Sequence, residues 1–203
     1  MKDSKAFDII IVGGGHAGIE AALASARLGA ETLLITSDIE KIGELSCNPS
    51  IGGLGKSQLV REIDALGGEM ALASDYSGIQ FRMLNRSKGP AVRALRVQVD
   101  RELYKEYFKN ILSKVKRLKI LNGMVEKLIF NNNKVSGVIL ESGEEFKSEA
   151  IVLATGTFLN GVMYIGLEKE SGGRRGDSAS KNLTRSLIEL GLEIRKLKTG
   201  TPA

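Results

Sequence analysis

The apolar run Phe7-Asp-Ile-Ile-Ile-Val12 leads straight into Gly13-Gly-Gly-His-Ala-Gly18, and an alanine-rich segment follows from about Ala17 to Leu28. A short β-branched run reads as a buried strand, so the glycines stand where a strand turns into a helix. In Gly13-x-Gly15-x-x-Gly18 each glycine has its own task. Gly13 permits the tight turn, Gly15 lets the backbone come close to a pyrophosphate, and Gly18 lets helix and strand pack closely. The helix N-terminus adds unpaired N–H groups and a favourable dipole for phosphate. Ala21, Ala22, Ala24 and Ala26 keep the helix slim, Gly29 caps it, and Glu31-Thr-Leu-Leu-Ile-Thr36 supplies a second strand. Strand, glycine turn, helix and strand make a βαβ unit that binds a dinucleotide.

The acid that commonly holds a ribose at the end of the second strand is replaced by Thr36 and Ser37. Asp38 and Glu40 lie nearby, and Asp38 reads better as a loop-start residue than as a ribose contact. A polar, glycine-rich stretch continues to Lys56, longer than a routine connection. Its end, Gly55-Lys-Ser57, resembles a P-loop, but that loop needs glycine where Ser50 stands, and no apolar strand leads into it. Triphosphate hydrolysis is rejected here; the glycines instead let the loop lie against a flat ligand. Cys47 sits in this loop among Ser, Asn, Pro and Gly. It is either an inert small residue or a thiolate able to attack an electrophilic carbon or a pyrimidine ring. With one cysteine and one histidine, the chain has neither a disulfide framework nor a zinc pattern. His16, between phosphate-binding glycines, is read as a steric or hydrogen-bonding residue.

Further elements follow from periodicity. A helix is expected from Ser57 to Leu66 with Leu59, Ile63 and Leu66 on one side, and an extended segment at Gly78 to Leu84. A second helix is expected from Gln98 to Ser113 with Leu103, Tyr107, Ile111 and Leu112 at helical spacing. Between Leu118 and Lys147 short strands alternate with the turn signals Asn131-Asn-Asn133 and Ser142-Gly143. Ala150 to Ala154 reads as a separate apolar strand ending at Thr155-Gly-Thr157, Asn182 to Leu190 as a helix, and Leu192 to Leu197 as the start of another strand. The fold class is α/β: a Rossmann-like FAD-binding domain of the glutathione-reductase-like type with an inserted antiparallel β-meander. FAD is favoured over NAD because a meander stands where a simple dehydrogenase continues with parallel strands. Residues 1–203 form one incomplete FAD-binding domain. Within it, 37–117 is a loop and helix insertion, 118–149 the β-meander and 160–203 the beginning of a further region.

The formal charge is +5, and it is concentrated. Twelve basic residues lie between Arg82 and Lys119, opposed only by Asp100, Glu102 and Glu106. The segment suits nucleic-acid phosphate, with Arg93, Arg96 and Arg101 as candidate contacts, or else forms a solvated helix face. Arg174 and Arg175 are a second candidate anionic contact. No apolar run is long enough to span a membrane or serve as a signal peptide, so a cytoplasmic, reducing location is the default.

Several blocks occur in order: Phe7 to Gly18, Ser46-Cys-Asn-Pro-Ser-Ile-Gly-Gly-Leu-Gly-Lys56, Asp64-Ala-Leu-Gly-Gly68, Gly78-Ile-Gln-Phe-Arg82, Asn85-x-Ser-Lys-Gly-Pro-Ala-Val-Arg93 and Ala154-Thr-Gly-Thr-Phe158. Together they resemble the N-terminal part of the MnmG (GidA) family over essentially the whole chain. The resemblance implies an FAD-dependent enzyme that installs a carboxymethylaminomethyl group on the wobble uridine of transfer RNA. Methylenetetrahydrofolate would be the one-carbon source and NADH the reductant. It implies that Gly13, Gly14, Gly15, His16, Ala17 and Gly18 hold the FAD diphosphate region and that Val125 and Ser180 also contact FAD. It makes Cys47 one of two functionally important cysteines, the other lying beyond Ala203. Implied partners are tRNA, an MnmE-type GTPase in a heterotetramer and, in the complete enzyme, a second copy in a homodimer. The NADH region and a helical C-terminus that binds the GTPase would also lie beyond Ala203. The chain is therefore expected to be an N-terminal fragment without complete activity alone. Two other readings stay open: a folate- and FAD-dependent tRNA uridine methyltransferase, and a flavin-bearing RNA-binding or assembly module without turnover.

Overall fold

The computed structural model describes residues 6–45, 48–132, 134–173 and 179–197. Strand β1 (Ala6–Val12), helix α1 (His16–Arg27) and strand β2 (Thr32–Thr36) form the expected βαβ unit, with β1 and β2 parallel and Ile9 opposite Thr32. Both strands are buried on both faces. Ile10, Val12, Leu33 and Ile35 point into one core cluster, while Ile11 and Leu34 point into the other. Such two-sided burial produces the continuous apolar runs from which the strands were legible.

The insertion after β2 carries β3 (Ser50–Gly52), α2 (Ser57–Ala65), α3 (Met70–Ser77), β4 (Gly78–Leu84), β5 (Ala94–Val99) and α4 (Arg101–Lys114). Strands β3, β5 and β4 form a separate antiparallel sheet with β5 in the centre. The expected helix from Gln98 is thus a strand up to Val99, and α4 starts two residues later. Asp100 sets the boundary: its carboxylate accepts from the backbone N–H groups of Glu102 and Leu103, both at 2.9 Å. The buried stripe of α4 is Tyr104, Phe108 and Leu112, whereas Leu103, expected on that stripe, is 40% exposed. On α2 only Ser57 is buried, and Leu59 and Leu66 stand exposed.

Strand β6 (Leu118–Asn122) corrects the expected meander. It pairs parallel with β2 at the edge of the main sheet and is the third strand of the parallel half. The antiparallel run is β7 (Val125–Asn131), β8 (Lys134–Leu140) and β9 (Glu145–Leu153). β9 joins the segments Glu145–Lys147 and Ala150–Ala154, read separately from sequence, into one strand. It pairs antiparallel with β8 and parallel with β1, giving the six-stranded order β6-β2-β1-β9-β8-β7. A hairpin of β10 (Val162–Ile165) and β11 (Glu168–Ser171) and then helix α5 (Lys181–Glu189) complete the described fold. α5 buries Leu183 and Leu187, and Leu183 belongs to the cluster with Val125, Val138 and Leu140. Residues 192–197 carry no strand.

α1 is fastened to the insertion by a polar network. Arg27 pairs with Glu69 and donates to the Gly67 carbonyl at 2.7 Å. The Tyr107 hydroxyl donates to Glu69 at 2.6 Å. The Glu20 carboxylate accepts from the backbone N–H groups of Glu69 at 3.0 Å and of Met70, at the start of α3. Glu69 is 6% exposed, and Arg27 and Tyr107 supply the partners that a buried carboxylate requires. In the Leu66-Gly-Gly68 corner Gly67 takes φ +84°, and a Cβ at Gly68 would overlap the Ile63 side chain and lie 2.9 Å from both the Ile63 carbonyl oxygen and a Glu20 carboxylate oxygen.

Candidate dinucleotide site

The turn after β1 behaves as its spacing predicts. Gly13 has φ +115°, and a Cβ there would overlap the Ala154 carbonyl, lying 2.8 Å from its carbon. Gly18 is buried in α1, where a Cβ would overlap the carbonyl oxygen of Gly13 itself. Gly15 differs from both. It is the N-cap of α1, with extended backbone (φ −80°, ψ −176°), and the space its Cβ would occupy is empty to 4 Å. The first turn of α1 has no side-chain cap and no acidic residue, so its N–H groups remain directed at whatever occupies that space.

That space belongs to a cleft of about 160 Å³ at the carboxyl ends of β1, β2 and β9, the end of a Rossmann-type sheet at which ligands bind. Gly13, Gly14 and Gly15 line it, and so do Val125 and Ser180. These last two are far apart in sequence, yet the Ser180 hydroxyl donates to the Val125 carbonyl at 3.2 Å. Ser180 is further fixed through its N–H to the Phe158 carbonyl, at 2.9 Å. The other three expected contact residues, His16, Ala17 and Gly18, do not line the cleft and face it only through the backbone N–H groups of the first turn of α1. Ala17 and Gly18 lie along α1, Gly18 serving helix packing.

His16 turns away from the cleft towards α4. Its ring meets Tyr104 edge-on, with centroids 5.7 Å apart, and Nδ1 lies 3.4 Å from the Tyr104 hydroxyl. Burial lowers the His16 pKa, while burial and then the nearby Glu20 charge raise that of Tyr104. A neutral imidazole and a protonated phenol thus face each other, and the imidazole tautomer sets which of the two donates.

At the end of β2, Thr36, Ser37 and Asp38 all line the cleft. The Asp38 carboxylate is engaged by the Glu40 N–H at 2.9 Å and by Lys41 at 3.6 Å, as a turn-capping residue would be. Glu40 pairs instead with Lys109 of α4. Lys41, Glu44 and Phe158 also line the cleft, and sequence reasoning missed them. Only the Ala154-Thr-Gly-Thr-Phe158 block could have indicated Phe158; nothing in the spacing marks Lys41 or Glu44. The Gly55-Lys-Ser57 segment follows β3 of the antiparallel sheet, so it lacks the parallel strand a P-loop requires. Cys47, Arg174 and Arg175 lie outside the described residues, as does the segment beginning at Lys198. Among the described residues, no cluster of His, Cys, Asp and Glu could hold a metal ion, and no helix is long and apolar enough to cross a membrane.

Residues 8–203 match the family described as glucose inhibited division protein A. GidA of Aquifex aeolicus in one crystal form is 48% identical and superposes with a TM-score of 0.88, over 93% of this chain and 31% of that one. The second crystal form gives 49% identity and a TM-score of 0.87, over 91% of this chain and again 31% of the other. A GidA-related protein from Thermus thermophilus shares the fold at 20% identity and a TM-score of 0.62, over 92% of this chain and 69% of that one. This chain thus spans 31% of the length of the Aquifex proteins. Its fold is a Rossmann-like FAD-binding domain, and the chain belongs to the glucose inhibited division protein A (GidA, or MnmG) family.

Proposed function

We propose that this chain is the FAD-holding part of an enzyme that adds a carboxymethylaminomethyl group at C5 of the wobble uridine of transfer RNA. The observation that carries the reading is the convergence of Gly13, Gly14, Gly15, Val125 and Ser180 on one cleft, in a chain 48% identical to Aquifex GidA. The cleft suits a dinucleotide in its chemistry. The space beside Gly15 is open, the α1 N–H groups face it, and Thr36 and Ser37 present hydroxyls in place of a carboxylate. Gly13, Gly14 and Gly15 would hold the diphosphate, and the Val125 backbone, braced by Ser180, would meet the adenosine end. FAD supplies the redox chemistry that a one-carbon transfer to a pyrimidine needs, with methylenetetrahydrofolate as carbon donor and NADH as reductant.

His16 and Gly18 act behind the cleft, one tying the glycine turn to α4 and the other seating α1 on β1. Cys47 is the proposed catalytic residue. A thiolate adding to pyrimidine C6 raises the electron density at C5, where the new carbon bonds. In the complete protein this part works within a homodimer and with an MnmE-type GTPase.

The test is nucleoside mass spectrometry of tRNA from a strain lacking its own enzyme. The full-length protein should restore the modified uridine, and its Cys47→Ser variant should not. Unmodified uridine with a folded, FAD-loaded full-length protein and its GTPase partner present would overturn the reading.

A further inference from the structure

Between Gly78 and Val99 there are five basic residues, Arg82, Arg86, Lys88, Arg93 and Arg96, and no Asp or Glu. This is the hairpin of β4 and β5. Its register sets Arg82 directly opposite Arg96 and Gln80 opposite Gln98, with Ser50 of β3 next in the same row. Paired residues share a sheet face, so the two guanidiniums and the two amides form one polar patch. Like charges directly opposite each other destabilise a strand pair. Neither guanidinium has a hydrogen-bond or ion-pair partner among the described residues; Arg82 is exposed and Arg96 half-buried. Other basic residues of the same stretch are neutralised nearby, Lys105 by Glu102 at 3.0 Å and Arg117 by Glu31 at 2.8 Å. The hairpin differs from the rest of the stretch in carrying no acidic residue of its own and in setting two arginines directly opposite each other.

We propose that the Arg82–Arg96 face of the β4–β5 hairpin grips the phosphodiester backbone of the RNA substrate, an inference that rests on the reading of the chain as part of an RNA-modifying enzyme. A small anion requires an enclosing site, and β4 is an edge strand whose residues Ile79 to Met83 are all exposed. An open edge whose Arg82 is followed by the exposed Arg86, Lys88 and Arg93 of the connecting loop suits an extended polyanion. The opposed guanidiniums place two forked donors side by side, and bound phosphate removes the repulsion that the free protein tolerates.

The experiment measures binding of a fluorescein-labelled anticodon stem-loop RNA to full-length, FAD-loaded protein by anisotropy, across a salt series. The Arg82→Gln/Arg96→Gln variant should bind at least ~10-fold more weakly at low salt, and its slope of log affinity against log salt should be shallower by about 1.4 to 1.8, the share of two phosphate contacts. Lys114→Gln/Lys116→Gln, which removes two exposed charges outside the hairpin, should change affinity by less than ~3-fold. Without RNA, the arginine variant should melt no lower than the parent protein, because a repulsion has been removed. Equal losses in both double variants, or no loss in either, would overturn the proposal. So would displacement of the RNA by millimolar inorganic phosphate, which would reassign the pair to a small anion. Unchanged RNA affinity in an arginine variant of a flavin-loaded, active enzyme would sink this inference alone. A parent protein that takes up neither flavin nor RNA would sink the functional reading as well.

Discussion

A methyl group at Gly18 has no room, and one at Gly15 meets nothing. Built on the Gly18 backbone, a Cβ overlaps the Gly13 carbonyl oxygen and lies 2.9 Å from the carbonyl carbon. Both are backbone atoms of the turn that α1 is packed against, so relief requires moving the helix. Overpacking of this kind costs about 1–3 kcal/mol, and backbone obstruction puts Gly18→Ala near the upper end. For a domain of this size, about 3 kcal/mol corresponds to a fall in Tm of about 6–12 °C. Gly15 has φ −80° and ψ −176°, a backbone that alanine adopts freely, and no atom lies within 4 Å of its Cβ position. Gly15→Ala should therefore alter stability by no more than about 1 kcal/mol. Its methyl group would occupy the space assigned to the diphosphate, so FAD affinity should fall at least ~10-fold, or about 1.4 kcal/mol. Thermal melts of the cofactor-free proteins and titration of FAD by flavin fluorescence measure the two effects separately. Wild-type FAD affinity in Gly15→Ala would refute the placement of the diphosphate. A wild-type Tm in Gly18→Ala would refute the packing of α1 on the turn.

Two further predictions concern the connections between α1 and the insertion. Glu69→Ala removes the partner of Arg27 and Tyr107 and should destabilise the fold by about 2–3 kcal/mol, whereas Glu20→Ala, which uncaps α3, should cost about 1–2 kcal/mol. Chemical denaturation measures both, and a loss under about 0.5 kcal/mol, the effect of an ordinary surface change, would contradict the network. Burial lowers the His16 pKa, so the unfolded chain binds this proton more readily than the folded one. Its contribution is fully present above the ordinary value near 6.5 and is lost as pH falls below that value towards the folded pKa. His16→Gln should flatten the fall in stability below about pH 6.5, and an unchanged pH dependence in urea titrations would refute the neutral, desolvated imidazole.

The βαβ unit was readable because its strands are buried on both faces and its glycines are each required by a distinct backbone constraint. The β6 assignment failed for a physical reason. Leu118 to Leu121 shows a strand, but parallel pairing with β2 is a long-range choice that no local pattern records. β5 was hidden differently. Leu95, Val97 and Val99 alternate with Arg96 and Gln98, a period-two signal that merged with the helix capped by Asp100. β9 was split because its first half alternates as a hairpin strand while its second half carries the apolar run that pairs with β1. At the site, the glycines follow from spacing, whereas Val125 and Ser180 came only from family resemblance. Their meeting across the cleft depends on α5 packing beside β7, which no sequence period encodes.

The central claim is that these residues hold FAD in the cleft between the glycine turn and Val125. It is tested by measuring the flavin content of the purified chain, before and after incubation with FAD, together with its circular dichroism. A folded chain carrying or taking up about one FAD per molecule, with uptake reduced in Gly15→Ala, is the predicted result. A chain with the α/β signature that stays colourless in excess FAD would contradict it.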